Sequence, residues 1–294
     1  MKLCFRPKKF GTDVLAIVTQ ANAIIAEYEA QDLRMTLRQL YYQFVSRDVI
    51  PNTEKSYKRL GSIISDGRLA GQIDWDAIED RARQPQTPAH WSNVRDALES
   101  RLRAFRLNRW ADQAKRVELW VEKDALAGVL WPIASRWHIT LMVNRGYSSS
   151  SAMYESAVRL QNGARPMQPK IVLYLGDHDP SGEDMVRDVR DRLVMFGVRG
   201  LEVSKVALTM AQVRQYDPPP NPAKLTDSRA AAYVEEHGDE SWEVDALPPD
   251  VLTRLVETAI QEHVDVRRMR AIQREEDAQR ERVNEFLEGL ELDD

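Results

Sequence analysis

The sequence predicts an α/β protein with a mainly α amino-terminal part, and three observations carry that expectation. Four short apolar runs, at residues 117–122, 138–143, 170–176 and 201–208, alternate with stretches of helical periodicity. That is the pattern of a parallel sheet built from right-handed βαβ crossovers with helices on both faces. The region before them has apolar residues at helical spacing and clear helix start signals instead. A proline-bearing stretch, Gln84-Pro85-Gln86-Thr87-Pro88, separates the two, so a domain over residues 1–110 and a second over 111–294 are expected.

Composition bounds the rest. A chain of 294 residues, 43% hydrophobic and 30% charged, can bury two ordinary cores without staples. Its single cysteine, Cys4, excludes an intramolecular disulfide framework. No apolar run is long enough for a bilayer span or a signal peptide, so a soluble, cytoplasmic protein with no membrane partner is expected. The net charge of −5 argues against a wholly basic nucleic-acid coat, but charge is unevenly distributed. Arg34, Arg38, Arg47, Lys55, Lys58, Arg59 and Arg68 form one basic group, and Arg101, Arg103, Arg106, Arg109, Lys115 and Arg116 another. No internal repeat or low-complexity tract is present.

In the first third, Thr12 is a helix-cap candidate, and Leu15, Val18, Ala21 and Ile25 are spaced for one buried face. Thr36 with Gln39 has the form of a capping box, and Met35 with Leu40 that of a hydrophobic staple, which makes Leu37 the first residue of the next helix. Leu37, Leu40, Tyr41, Phe44 and Val45 then share a core stripe. Arg38 and Tyr42, four apart, are neighbours on a different face, so Tyr42 is expected to be exposed beside an arginine; an ordinary half-buried tyrosine is the alternative. Pro51 ends this helix, and Asn52 or Thr53 caps a third. Tyr57, Leu60, Ile63 and Ile64 are its core face, and Lys55, Arg59 and Ser62 look elsewhere. After Gly71, Ile73 and Trp75 suit a short wing strand. Helices followed by a wing is the order of a winged helix that lays a basic helix on DNA, although such a face also occurs simply solvated. A further helix from about Ser92, with Val94, Leu98, Leu102 and Phe105 on one side, leads into the sheet. Its arginine face either tracks phosphates or is wet.

Two of the strands end in carboxylate. Val117-Glu118-Leu119-Trp120-Val121 runs into Glu122 and Lys123, and Ile171-Val172-Leu173-Tyr174-Leu175-Gly176 runs into Asp177-His178-Asp179-Pro180. Open α/β sheets gather ligands at the carboxyl ends of their strands. Glu122, Asp177 and Asp179 would meet there, and an all-oxygen set without His or Cys suits Mg²⁺ rather than zinc. His178 points the other way in the pattern. Asp179 followed by Pro180 also matches a plain helix N-cap. Arg145-Gly146-Tyr147 and the serines after it open a helix, a place to hold a phosphate or merely a capping turn. Pro218-Pro219-Pro220 marks a loop, and Trp242-Glu243-Val244-Asp245-Ala246-Leu247 precedes mixed-charge helices. Of these, the stretch with Arg267, Arg268 and Arg270 against Glu275, Glu276 and Asp277 reads as a solvated helix or a dimer contact.

Glu at the end of one strand, Asp-x-Asp at the end of a later one, and Arg38-Gln39-Leu40-Tyr41-Tyr42 in a winged helix together resemble the topoisomerase VI A subunit and the related meiotic double-strand-break proteins. The match covers most of the chain in order. The chain looks most like the compact stand-alone Mini-A homologues, because it is short and has no Gly-rich ATP-binding motif. The resemblance implies a winged helix followed by a Toprim-like parallel-sheet domain. It further implies Tyr42 as nucleophile, Arg38 and Glu122 as catalytic partners, and Mg²⁺ held by Glu122, Asp177 and Asp179. Lys55, Lys58, Arg59 and Arg145 would contact double-stranded DNA, placing the protein on the nucleoid when bound.

The implied activity is Mg-dependent double-strand cleavage by tyrosine transesterification, of the type IIB topoisomerase kind. Attack by tyrosine makes a phosphotyrosyl bond of similar energy to the one broken, so the break can be resealed. The implied assembly is a homodimer, each site joining Tyr42 of one protomer to the carboxylates of the other, with a separate GHKL-type ATPase subunit as a further partner. A Toprim-type hydrolytic nuclease and a non-catalytic DNA-binding regulator are the alternatives.

Overall fold

The computed structural model describes residues 1–79, 88–144, 146–163, 165, 167–223, 227 and 229–289. It is an α/β protein with about 55% helix and a four-stranded parallel sheet. The amino-terminal part contributes α1 (Thr12–Glu29), α2 (Leu37–Ser46) and α3 (Glu54–Leu69), followed by α4 (Val94–Ala104). The sheet part comprises β1 (Arg116–Val121), α5 (Ala127–Trp137), β2 (Thr140–Val143), α6 (Ser150–Asn162), β3 (Lys170–Leu175), α7 (Pro180–Met195), β4 (Leu201–Ala207) and α8 (Met210–Tyr216). A two-stranded ladder, β5 (Asn221–Pro222) with β6 (Glu240–Ser241), brackets α9 (Ala230–His237). Then come a 3-10 turn at Val244–Ala246, α10 (Pro249–Gln261) and α11 (Val266–Glu288).

Helix starts follow their capping chemistry. Thr36 accepts from the Gln39 N–H while the Gln39 side chain reaches back to the Thr36 N–H, so α2 begins at Leu37 as expected. Thr53, Asn93, Ser149 and Asp179 each accept an N–H from the first turn of α3, α4, α6 and α7. The expected cap of α1 lies one residue early: Gly11 takes the cap position and Thr12 is already helical.

The four parallel strands are ordered β2-β1-β3-β4. Successive residues point to opposite faces, so each strand feeds two cores. Val117, Leu119 and Val121 with Ile171, Leu173 and Leu175 pack under α5 and α10. Trp120, Val172 and Tyr174 pack under α6 and α7. Glu118, buried on that second face, is neutralised by Arg159 through two hydrogen bonds of 3.1 and 2.9 Å. A third core joins α1, α2 and α3 around Ile24, Leu40, Phe44 and Ile64, and it also takes in Ala246. The segment around Ala246 is therefore sewn into both halves: Trp242, Val244 and Leu247 belong to the sheet core and Ala246 to the helical one.

Several expectations are corrected. Leu15 is exposed, and the buried face of α1 is completed by Ile24 and Tyr28 instead. The wing strand at Ile73 and Trp75 does not form among the described residues. Gly71 turns the chain back at φ +71°, Ile73 is buried against Gly67, and the Arg68 guanidinium gathers the carbonyls of Trp75 and Ile78. Only single bridges, Cys4 to Ala70 and Met35 to Ile78, mark this region. The apolar side of α4 is not a core face, since α4 has no buried residue. Residues 80–87, which include all of the proline-bearing stretch but Pro88, lie outside the described residues. So does Arg145.

Candidate active site

The carboxyl edge of the sheet gathers the side chains singled out above. The Glu122 N–H continues the β1 ladder to the Leu175 carbonyl at 2.8 Å, after which the chain leaves in a 3-10 turn at Asp124–Leu126. Glu122 Oε2 accepts the Asp177 N–H at 3.2 Å. Beyond β3, His178 exchanges two backbone hydrogen bonds with Trp242, of 2.8 and 2.9 Å. That bridge lays the 242–247 segment across the sheet edge and delivers Glu243 and Asp245 to it.

Lys123 is the hub. Its Nζ lies 2.9 Å from Asp177 Oδ1, 2.8 Å from Glu243 Oε2 and 2.8 Å from Asp245 Oδ1. Arg38, reaching over from α2, pairs with Glu243 and places Nε 3.2 Å from Asp245 Oδ2. The Tyr42 hydroxyl donates to Glu243 Oε2 at 2.5 Å, and Arg38 Nη2 donates to the same hydroxyl at 3.3 Å. The Arg38–Tyr42 adjacency inferred from helical phase is thus present. The exposure of Tyr42 is not: it is 4% exposed, because the 242–247 segment covers the face of α2 that local periodicity left open. Helical phase within α2 contains no information about a segment two hundred residues away.

The electrostatics follow from burial. Burial works against the Lys123 charge, but Asp245, Asp177 and Glu243 overturn it and lift the ammonium above its ordinary range. Burial would raise Glu243 too, yet Lys123, the Tyr42 hydroxyl and Arg38 bring it down to about 2. Asp177 is raised to about 7, first by burial and then by Glu122 and Asp245, with Lys123 opposing. Lys123 and Asp177, partners in one ion pair, thus shift in the same direction, because the ammonium is shared three ways while Asp177 also faces other carboxylates. Burial raises Glu122 as well. The Tyr42 phenol is pushed up, mostly by burial and then by Glu243, so the hydroxyl is held as a donor.

Asp179 takes the role its Pro180 neighbour suggested. Its Oδ1 accepts the Gly182 N–H at 2.6 Å and the Ser181 hydroxyl at 2.9 Å, capping α7. Position 182 admits no side chain, since a Cβ there would approach the Asp177 carbonyl oxygen to 2.3 Å. His178 is buried and turned away, its Nδ1 2.8 Å from the Tyr233 hydroxyl. Among the described residues, no group of three or more His, Cys, Asp or Glu side chains is arranged to hold a metal ion. Glu122, Asp177 and Asp179 have the oxygen-only chemistry of a Mg²⁺ site, but their contacts are within the protein: a backbone N–H for Glu122, an ammonium and the Val244 N–H for Asp177, and a helix terminus for Asp179.

The basic candidates of α3 form no hydrogen bond or ion pair with this cluster. Lys55, Lys58 and Arg59 are on the exposed side of α3, with Lys58 paired to Glu54 at 2.6 Å. Arg109 and Arg106 are turned toward the buried Glu276, at 2.9 and 3.7 Å, so that part of the second basic group neutralises an internal acid. Sequence reasoning missed Lys123, Glu243 and Asp245 as site residues. A signal existed, because Trp242-Glu243-Val244-Asp245-Ala246-Leu247 alternates apolar and acidic residues, the mark of a segment with one buried side and one polar side. No protein-family model matches the chain, and no curated protein matches it.

Proposed function

We propose that the protein cleaves double-stranded DNA by tyrosine transesterification, with Tyr42 as the nucleophile. One observation carries this reading. Arg38 and Tyr42 of α2 and the carboxylates of the sheet edge, remote in sequence, share a single hydrogen-bonded network through Glu243, Asp245 and Lys123. In the step proposed, the Tyr42 oxygen bonds to phosphorus, the bond to the 3′ oxygen breaks, the Tyr42 proton passes to a neighbouring base, and the departing 3′ oxygen takes up a proton from water to leave as a hydroxyl. Glu243 is in hydrogen-bonding contact with that proton. Arg38 is placed to stabilise the phenolate and the charge of the transition state. For either to act on DNA, the phosphate has to displace Glu243 and Asp245 from Arg38.

Mg²⁺ matches the oxygen-only donor chemistry of Glu122, Asp177 and Asp179, and carboxylate is in excess locally, since Asp177, Glu243 and Asp245 share the single ammonium of Lys123. When bound there, the ion would supply Lewis-acid polarisation of the scissile phosphate. Glu122 serves as ligand or proton shuttle. On the same reading α1, α2 and α3 act as a winged helix whose exposed Lys55, Lys58 and Arg59, with Arg145, meet DNA phosphates, and the sheet acts as a Toprim-like domain. A twofold dimer would place two sites on a duplex, and a separate GHKL-type ATPase subunit would be needed for strand passage.

One observation favours a second reading, a hydrolytic nuclease in which Tyr42 only packs: its hydroxyl is locked on Glu243. Partition of cleaved DNA separates the two. Ends that enter the phenol layer until protease treatment, and that vanish in Tyr42→Phe while DNA binding persists, support the transesterase; freely soluble ends that persist in Tyr42→Phe support the nuclease. Mixing Tyr42→Phe with Asp177→Asn protein then asks whether each site is shared, since nicking by verified heterodimers requires one intact combination across the interface.

A further inference from the structure

The amino edge of the sheet, opposite the Lys123 cluster, holds a buried charge that no acid neutralises. Lys170, the first residue of β3, is 6% exposed, and its Nζ donates only to the Arg199 carbonyl, at 3.2 Å. Elsewhere in the chain burial and neutralisation go together. Glu118 faces Arg159, Asp177 and Asp245 face Lys123, and Glu276 faces Arg109, each buried carboxylate within 2.9 Å of a cation. The turn after α7 positions Lys170, since the Gly200 carbonyl accepts its backbone N–H at 2.8 Å while the Arg199 carbonyl accepts from Nζ. Gly200, at φ +64°, lets the chain make that turn.

Lys170 lines a cleft of about 420 Å³, a volume within the range of small-molecule sites, about 300–1,000 Å³. Arg165 and Arg199 line it too, and among the described residues none of the lining is acidic. The Arg165 guanidinium donates to the Gln113 carbonyl at 2.7 Å, that of Arg199 has no hydrogen-bond partner, and none of the three cations forms an ion pair among the described residues. α7 ends at Met195, just before this cleft, and its C-terminus supplies about half a negative charge. Three unit charges against about half of one leave roughly +2.5. An ammonium has three N–H donors and Lys170 spends one on the protein, so the buried group calls for further acceptors. A terminal phosphate brings a charge of about −1.5 to −2 and three acceptor oxygens, which guanidinium and ammonium groups both recognise. A phosphodiester within duplex DNA has a single charge and a sugar on either side, and matches the excess less well. We propose that this cleft binds a terminal phosphate group, inorganic or on a small phosphomonoester, through Lys170, Arg165 and Arg199. Lys170 stands seven residues before Asp177 along β3 and its extension, roughly 23 Å at about 3.3 Å per residue. The site is therefore separate from the candidate active site, and an absent covalent DNA adduct leaves it untouched.

Isothermal titration calorimetry of the full chain with inorganic phosphate, at an ionic strength held constant with chloride, tests the proposal. The wild type is expected to bind with a Kd of about 1 mM or tighter. Lys170→Met should bind roughly tenfold weaker or worse, as for loss of one charge-assisted hydrogen bond, and Arg199→Gln roughly threefold weaker or worse. Arg199 is exposed and its guanidinium makes no bond within the chain, so that substitution leaves the fold alone and decides the matter by itself if Lys170→Met does not fold. Stability is a second readout. In phosphate-free buffer Lys170→Met should melt no lower than wild type, because a buried charge without a counter-charge is removed, and added phosphate should raise the Tm of the wild type more than that of the variant. A nucleoside monophosphate separates the two sources: tighter binding than inorganic phosphate identifies a phosphomonoester, and equal or weaker binding the free ion. Binding of neither by the wild type at about 10 mM, or binding as tight in both variants as in the wild type, overturns the proposal. So does a loss of duplex-DNA affinity in Arg199→Gln with phosphate affinity unchanged, which would make the cleft a contact for the DNA backbone.

Discussion

Replacing Lys123 by methionine removes an ammonium that three carboxylates share, at 2.8, 2.8 and 2.9 Å. The Asp177 and Asp245 side chains are 9% and 0% exposed, so water cannot take over its role. Breaking one side of a buried ion pair is destabilising by about 3–5 kcal/mol. Arg38 still holds Glu243 and Asp245, which places the expected loss at the low end, about 3 kcal/mol. For 294 residues at about 2.1 cal/mol/K each, the unfolding entropy is roughly 0.6 kcal/mol/K, so Tm should fall by about 5 °C near neutral pH.

The loss should also depend on pH, and the sign is set by Asp177. Its folded-state carboxyl is already raised to about 7. Without the ammonium it rises further. The folded state then binds more protons than the unfolded one, so stability falls as pH rises from the unfolded carboxylate range through the folded value. Calorimetry of both proteins at about pH 8 and about pH 5.5 should show the deficit shrinking by half or more at the lower pH. A Tm difference below about 1 °C at the higher pH, or a deficit equal at both, would refute the shared-ammonium account.

Asp177→Asn should abolish cleavage yet change stability by only about 1 kcal/mol, because the amide oxygen still accepts the Val244 N–H and Lys123 keeps Glu243 and Asp245; a Tm drop above about 5 °C or normal cutting argues against this. In DNA-binding titrations over a salt series, Lys55→Ala and Arg59→Ala should each lower the slope of log K against log salt by about 1. Lys58→Ala should lower it less, since Glu54 already engages that ammonium, and slopes unchanged from wild type in all three variants would remove α3 from the interface. Gly71→Ala should be destabilising by about 1–2 kcal/mol, as φ is +71° and a Cβ would meet Cys4 backbone atoms at 3.1 and 3.2 Å; an unchanged Tm would mean the turn relaxes.

What the sequence determined by itself was local. The capping box at Thr36 and Gln39 set the start of α2, and hence the adjacency of Arg38 and Tyr42, because the donors and acceptors involved lie within one turn. Continuous apolar runs announced parallel strands buried on both faces, within a residue or two of their observed ends. That Asp177 and Asp179 stand at the end of one strand and Glu122 at the end of an earlier one follows from those runs; that the two strands are neighbours is decided by the sheet order. The burial of Tyr42 was not legible, and neither was the wet face of α4. Each depends on whether a distant segment lands on a given helix face: 242–247 lands on α2, while Val94 and Leu98 on the apolar side of α4 stay exposed. Periodicity shows which residues share a face; only tertiary packing decides what that face meets. The hub role of Lys123 belongs to the same class. A lysine after a strand reads as solvated until three carboxylates from two other segments are folded around it, and the energy of that arrangement comes from desolvation, which no local pattern encodes.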